Sequence, residues 1–384
     1  MLDVRQISMG SPGSGVSDFL NVVDYLYRDD AAYVRPLDME LKDRLNPRKN
    51  PFFEHGEGVM FCAYRNGFAV GRCTATVDRA HLERHKDETG FFGFLDTTND
   101  EEVARELLAR AESWLRAKGM KRARGPLSLN INEEMGCLVE GFETPPYVLM
   151  PHHRSYQGGL IEKAGYTKAK DLYAWRYLVG EPNTRVRRAH EEIKALPEVS
   201  SRTMSLKNLE KDVELFVDIY NDVWSENWGS VPFTRNEGKK MAADFKLLLV
   251  PEITCIVSIH GEPAGVALAL PNLNDLVKDF DGKLFPLGLP RLLWRLKVEG
   301  PKSARLILLG IRKEWRTTRR YAGLSAFLYA EMNDGGRKIG IREGELGWTL
   351  EDNGRINAGI QTMGAKIYKK YRVYEKSLLD GASA

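Results

Sequence analysis

Four cysteines in 384 residues (Cys62, Cys73, Cys137 and Cys255) stand far apart and form no CxxC pair. That scarcity argues against a disulfide framework or a structural zinc site, and for a reducing cytosol. Net charge is equally sparse at +3, too mild for a surface that tracks nucleic acid, so any anion site is local. No apolar run approaches the roughly 18 residues that span a bilayer. The opening stretch MLDVRQISMGSPGSG lacks a basic segment followed by an apolar core, so no secretory signal is expected. These absences point to a cytoplasmic protein, at most lying against the inner membrane. Seven histidines include no HExxH, and His81 and His85 in HLERHKD lack an evident third ligand, so no metal is expected.

What is present is ordinary globular composition, 43% hydrophobic and 28% charged, in a chain long enough for two domains. The reading is α/β, with an N-terminal domain over 1–180, a polar linker over 181–204 and a C-terminal domain over 205–384. In the first half GVMFCAYRNGFAVGRCTATV is a hairpin around Asn66-Gly67, and GFFGFLD is a short aromatic strand. Val103, Leu107, Leu108, Ala111, Trp114 and Leu115 then share one helical face that Gly119 ends, before the strand KRARGPLSLN. The second half repeats the plan: a hairpin around His260-Gly261, the strand ARLILLGI, the helix YAGLSAFLYAEMNDGG and the strand IREGELGWTLEDN. Each half closes with a helix tail, a glycine and a strand rich in tyrosine and lysine. An internal duplication of an α/β unit, each a mixed central sheet flanked by helices, accounts for this.

The segment RKEWRTTRRYAGLSAFLYAEM, residues 312 to 332, breaks a local rule. A helix N-terminus exposes unpaired N–H groups and partial positive charge, and so favours acidic residues. Here Arg312, Lys313, Arg316, Arg319 and Arg320 gather instead. A bound phosphate or pyrophosphate would satisfy both the cations and the free N–H groups.

Arg320, Gly323, Ser325 and Leu328 fit R-x-x-G-x-(small)-x-x-L after a strand ending LLGI. This resembles the pyrophosphate loop of the GNAT superfamily of acyl-CoA-dependent N-acyltransferases. Asn353 and Gly364 also keep the superfamily's interval between a strand-ending asparagine and a later glycine. The resemblance implies two tandem GNAT-like domains and a donor site in the C-terminal half. Its cofactor-binding residues would be Leu309, Gly310 and Ile311 on the strand, Arg316, Arg319, Arg320, Gly323 and Ser325 in the loop, and Asn353, with Gly323 letting phosphates approach the backbone. Two departures stand out. Ser325 replaces the loop's second glycine or alanine, and Ile360 falls where a proton-donating tyrosine often stands, leaving Tyr368, Tyr371 or solvent to replace it. LNPRKNPFFEHGEGVMFCAYRNGFAVGR, TGFFGFLD, NDVWSENWGSVPFT and LPNLNDLVKDFDGKLFPLG look like a tandem GNAT-like bacterial family that includes ceramide synthases. That resemblance implies an acyl thioester, on coenzyme A or an acyl carrier protein, as donor and a lipid amine as acceptor.

Amide-forming transfer needs a base for the amine and a proton for the thiolate, with no metal. Candidate catalytic residues are Glu345 in the strand GELGWTL and, in the first half, His153 and Tyr156 in the loop PPYVLMPHHRSYQGG. His153 is favoured there because a histidine ordinarily titrates near neutral pH. Candidate substrate-binding residues are Trp228, at helical spacing from Tyr220 and Trp224, and Phe285 and Trp294 in GKLFPLGLPRLLWRLKVEGP. That last stretch suits an interfacial helix or a flap over an acyl tunnel. The first half's counterpart of the arginine loop, TTNDEEV, is acidic and would repel phosphates, so that half is expected to build the acceptor side. Competing readings are a non-catalytic acyl-CoA-binding protein, an acyltransferase for another amine, a peptidoglycan-type aminoacyl transferase and a nucleic-acid-binding module.

Overall fold

The computed structural model describes residues 1–379. The chain divides into two compact units. Unit 1 comprises Met1–Tyr173, Val277–Pro286 and the chain from Lys369; unit 2 comprises Ala174–Leu276 and Leu287–Tyr368.

Unit 1 holds strands β1 (Leu2–Ser8), β2 (Gly56–Arg65), β3 (Phe68–Asp78), β4 (Thr89–Thr97), β5 (Arg122–Gly125), β6 (Cys137–Glu140) and the start of β7 (Thr167–Leu178). Its sheet runs β1-β2-β3-β4-β5 and continues onto the last strand of the chain. Asn66 and Gly67 turn β2 into β3 with φ of 52° and 84°, as a two-residue hairpin demands. Helix α1 (Ser14–Leu26) and helix α2 (Glu101–Ala117) flank the sheet. The predicted apolar face of α2 is the buried one: Val103, Leu107, Leu108, Ala111 and Leu115 join Ala63, Cys73 and Ala75 in the core. The four cysteines are free and buried.

Unit 2 holds the end of β7, then β8 (Val199–Arg202), β9 (Thr254–Ile259), β10 (Glu262–Pro271), β11 (Ser303–Ile311) and β12 (Glu343–Leu350). Its strand order is β7-β12-β11-β10-β9-β8. The final strand, β13 (Lys366–Ser377), is shared by the two units, which divide between Tyr368 and Lys369. The helices of unit 2 are α3 (Thr184–Lys194), α4 (Leu209–Val223), α5 (Arg235–Leu248), α6 (Gly288–Trp294), α7 (Leu324–Lys338) and α8 (Gly354–Thr362). Phe327 and Leu328 of α7 pack on Val257, Ile259 and Ala267 of the sheet. On α4, Val213, Phe216 and Ile219 pack against Val266, Leu268 and Leu308.

Residues 181–204 differ from the expected linker, because they carry α3 and β8 inside unit 2. Polar composition misleads here: Val186, His190 and Ile193 are the buried residues of α3, and that narrow stripe suffices to dock it. The C-terminal boundary also moves, since Val277–Pro286 and the chain from Lys369 gather with unit 1; residues 380–384 lie outside the described residues.

Candidate active site

In both units a strand is followed by a helix and then by a parallel neighbour, but the two pairs end differently. In unit 2, β11 and β12 pair from Ser303↔Glu343 to Leu306↔Leu346 and no further, although β11 continues to Ile311 and β12 to Leu350. β10 still covers the other edge of β11 as far as Ile311. The strands therefore part, and Leu308, Leu309 and Gly310 have no strand partner on the side facing the cleft. In unit 1, β4 and β5 pair only over Thr89–Phe91 and Arg122–Arg124. There the gap is sewn shut: the Leu127 N–H donates to the Phe92 carbonyl at 2.8 Å. A Cβ on Gly93 would lie 1.7 Å from the Leu127 carbonyl oxygen, so that glycine is what lets the chain close. Asp100 caps α2, with Glu101 and Glu102 in its first turn, and Arg65 is neutralised by Asp100 at 2.8 Å and Glu102 at 2.7 Å. Unit 1 thus has a filled cleft with an acidic helix start.

Glu345 sits at the vertex of the open cleft. The register places it beside Arg305, whose Nε lies 3.0 Å from Glu345 Oε1. A second guanidinium nitrogen of Arg305 donates to the Gly347 carbonyl at 3.1 Å. Tyr368, on β13, donates its phenolic O–H to Glu345 Oε2. Glu345 is fully buried and Arg305 nearly so, which requires this pairing, because an isolated buried charge is costly. A solvent-facing strand residue is ruled out.

Below the vertex lies an apolar pocket enclosing about 70 Å³. Ala304, Leu306, Glu345 and Leu346 line it from the sheet, Ala330, Met332 and Gly336 from α7, with Val186 and Met363 at its sides. None of Trp228, Phe285 and Trp294 lines it. Trp228 falls beyond the end of α4, where the Asn227 N–H closes a turn on the Trp224 carbonyl at 2.9 Å, so the helical spacing does not continue to it. Tyr220 and Trp224 stack at 5.2 Å against the unit 2 core. Phe285 and Trp294 are 62% and 58% exposed. Sequence reading missed the pocket; its one local signal is the small-residue spacing of Ala330, Asn333 and Gly336 on α7.

Beyond the cleft's open end come a short helix (Lys313–Arg316), a 3-10 turn (Arg319–Tyr321) and α7. Arg312 pairs with Asp218, Lys313 with Glu226 at 2.8 Å and Arg320 with Glu198 at 2.6 Å. The Arg320 guanidinium holds Glu198 down to about 2. Arg316 and Arg319 are exposed, with no ion pair among the described residues. Gly323 precedes α7, but a Cβ there would meet Ile193 at 3.0 Å and the Ala189 carbonyl at 3.3 Å. Its lack of a side chain thus admits α3, a packing reason for the glycine beside the expected phosphate one. Ser325 is exposed on the first turn of α7, and Asn353 caps α8 by accepting the Ile356 N–H at 3.4 Å. Ile360 is buried in α8.

The unit 1 candidates are placed as structural groups. His153 is buried and its Nδ1 accepts the Leu138 N–H at 3.2 Å, which puts its own proton on Nε2. Burial lowers its pKa to about 4, so the expectation of a near-neutral base fails. Tyr156 donates to the Thr97 carbonyl at 2.7 Å, and burial raises its pKa. The histidine pair of HLERHKD lies on a short helix, with His81 buried against Asp87 at 3.0 Å. No helix among the described residues is long and apolar enough to cross a membrane.

No family model matches the sequence. The bacterial ceramide synthase of Caulobacter vibrioides is 38% identical over 379 residues, covering 98% of each chain. Protein YghO of Escherichia coli is 35% identical over 364 residues, covering 94% of this chain and 92% of its own. Among solved structures, a tandem GNAT protein from the clavulanic acid biosynthesis pathway superimposes with a TM-score of 0.59 at 12% identity, covering 99% of this chain and 100% of that one. A GCN5-related N-acetyltransferase from Sphaerobacter thermophilus gives 0.54 at 13% identity, covering 100% and 98%. The structural likeness shows a tandem GNAT fold, and identity of 38% over nearly the full length of both chains shows the family: the chain belongs to that of the bacterial ceramide synthase of Caulobacter vibrioides.

Proposed function

We propose that the protein transfers a long-chain acyl group from a thioester to the primary amine of a sphingoid base. The observation that carries this reading is the Arg305–Glu345–Tyr368 cluster at the vertex of the cleft where β11 and β12 part. Identity of 38% to a protein named for ceramide synthesis supports the acceptor class. In this reading the amine nitrogen attacks the thioester carbonyl carbon, and the C–S bond breaks. Glu345 receives the proton that the amine loses, while the Tyr368 phenol, its hydrogen-bond partner, protonates the departing thiolate. Transfer from Glu345 to Tyr368 then restores both groups. Arg305 holds Glu345 in place. A β11 N–H facing the cleft polarises the thioester oxygen. Tyr368 thereby answers the objection raised by Ile360.

The donor's phosphates belong in this reading near the start of α7, where Arg316 and Arg319 have no ion pair among the described residues and no side chain caps the helix. Arg320 joins them once released from Glu198. Coenzyme A and an acyl carrier protein share this phosphopantetheine chemistry. The exposed apolar residues of α6 support contact with the inner membrane, where both lipids would be met. Incubation of purified protein with palmitoyl-CoA and sphinganine, following thiol release and amide by mass spectrometry, tests the reading. Amide product is expected. Thiol release with other amines but never with sphinganine would overturn the acceptor, and tight acyl-CoA binding without turnover on any amine would favour a non-catalytic carrier.

A further inference from the structure

We infer that the apolar pocket under the cleft holds the distal part of the donor's acyl chain, and that small residues on its walls set the chain length accepted. This rests on the reading of the cleft as an acyl-thioester site. Glu345 belongs to both places: it binds Tyr368 at the vertex and lines the pocket, so a chain whose carbonyl reacts there has the pocket within reach.

The lining recognises no head group. Of its polar residues, Asn333 is consumed by Tyr177, which donates to its Oδ1 at 2.9 Å, and by the Gly180 carbonyl, which accepts its amide at 2.8 Å. Asn183 likewise donates to the Thr362 carbonyl and accepts the Val186 N–H, and apart from these residues, Glu345 and Tyr329 the wall is hydrocarbon, which suits an alkyl segment.

Small residues keep that space open. Two adjacent glycines on α7 make the contrast. A Cβ on Gly335 would strike the Glu252 carbonyl oxygen at 1.7 Å, so that glycine is required by packing. A Cβ on Gly336 would meet only Ile341 at 3.7 Å and Ile253 at 3.9 Å, ordinary contact distances. Alanine fits at 336, and helix propensity favours it by about 1 kcal/mol. The glycine there is explained by the pocket it borders, not by packing. Ala304 and Ala330 extend the same wall, where protein interiors ordinarily fill such volume. Met332 and Met363 supply flexible sides that can shift around a chain.

The test is binding of acetyl-CoA, hexanoyl-CoA, palmitoyl-CoA and free palmitate to the full chain and to Ala330→Leu, Gly336→Leu and Gly336→Ala, by calorimetry, with Tm recorded for each. In the wild type, affinity should rise from acetyl to palmitoyl and palmitate should bind. Each leucine variant should lose palmitoyl-CoA and palmitate affinity by at least tenfold, at about fourfold per displaced methylene. Acetyl-CoA affinity should stay within twofold. Gly336→Ala, for which there is room, should fold and show a smaller loss of the same kind, and it decides the matter if the leucine variants fail to fold. Unchanged chain-length preference in the folded variants overturns the pocket assignment and leaves the thioester site standing. Palmitate binding that the variants abolish, with no CoA ester bound by any form, supports the pocket and overturns the coenzyme A donor instead. Absence of binding by all four ligands overturns both.

Discussion

Tyr368 donates its phenolic hydrogen to Glu345, joining β13 to β12 at the point where β11 and β12 part. The pair is 23 residues apart in sequence, on strands that are not neighbours in the sheet, and meets through its side chains. Arg305 lies 3.0 Å from one carboxylate oxygen of Glu345, and Tyr368 is hydrogen-bonded to the other, through which a proton can pass between the two side chains. We expect Glu345→Gln and Tyr368→Phe each to lower kcat by about 10²–10⁴-fold. Donor affinity should change little, and Tyr368→Phe should leave Tm nearly unchanged, whereas Glu345→Gln strips the buried Arg305 guanidinium of its counter-charge and should lower Tm. The double variant should be little worse than the single ones, as for groups that act as a unit. Multiplicative losses on measuring kcat for all three would refute the shared relay.

The arginine loop makes a different prediction from the one its sequence suggests. Arg320 is held by Glu198 at 2.6 Å, whereas Arg316 and Arg319 are unpaired among the described residues. Arg316→Ala and Arg319→Ala should each weaken acyl-CoA binding by about tenfold at low salt, the loss of one charge-assisted contact. Arg320→Ala should cost less. Glu198→Gln, which frees Arg320, should tighten binding. Calorimetric titration of the four variants decides the order, and a dominant Arg320→Ala effect would reverse the assignment.

How far this was legible beforehand follows from the range of each interaction. The hairpins at Asn66-Gly67 and His260-Gly261 and the amphipathic helix α2 are local, so turn chemistry and periodicity reveal them. Glu345 came from a strand motif. Its partnership with Arg305 depends on β11 and β12 lying side by side, and that with Tyr368 on a side chain reaching from a strand that is not its neighbour; no residue pattern within one strand encodes either. At Gly323 the sequence shows that a side chain is missing, whereas the room beside it that α3 takes up follows from packing between elements. The aromatic spacing of Tyr220, Trp224 and Trp228 carried no information about where the helix stops, which Ser225, Asn227 and Gly229 decide. The pocket was invisible because its walls come from scattered alanines and glycines on separate elements.

His153 gives a pH prediction. Its pKa falls to about 4 because burial disfavours the charged ring, while an unfolded histidine titrates near 6.5. The unfolded state therefore binds more protons in that window, and stability present above about 6.5 is lost as pH falls toward 4. The contribution is at most about 3 kcal/mol. His153→Gln retains an acceptor for the Leu138 N–H but has no ring to charge. Its Tm should decline less steeply between pH 6.5 and 4 than that of the wild type. Parallel curves from calorimetric scans across that range would show that His153 is not buried neutral.

The sealed cleft of unit 1 is testable through a single hydrogen-to-methyl change. A Cβ on Gly93 would sit 1.7 Å from the Leu127 carbonyl oxygen, a backbone atom held by the Leu127 N–H to Phe92 bond of 2.8 Å. Gly93→Ala should cost on the order of 3 kcal/mol or more, since the backbone itself must shift. Gly159→Ala is the control: nothing lies within 4 Å of its Cβ position, so it should be neutral or slightly stabilising. Comparable denaturation midpoints for the two variants would mean that unit 1 does not close at this point.

The surface of α6 yields the last prediction. Leu292 and Leu296 turn inward at 2% and 4% exposure, and Arg295 fixes the segment by donating to the Leu276 carbonyl at 2.6 Å. Leu287, Trp294 and Val298 are 71%, 58% and 61% exposed, at spacings that place them on the opposite face with exposed Arg291. Lys297 adjoins this face. An apolar face flanked by cations matches an anionic lipid surface, where a tryptophan sits at headgroup depth and the basic residues meet phosphates. Because both side chains are more than half exposed, Trp294→Ser with Val298→Ser should leave Tm within about 2 °C, as exposed changes ordinarily do. The double variant should nevertheless lose most of its co-sedimentation with vesicles of phosphatidylcholine containing phosphatidylglycerol. Wild-type binding should weaken with added salt and be slight on pure phosphatidylcholine, since the charged contribution is screened. If the wild type stays in the supernatant with anionic vesicles at low salt, the face serves something other than lipid. If Arg291→Glu abolishes binding but the serine pair does not, attraction is electrostatic and the exposed tryptophan is incidental.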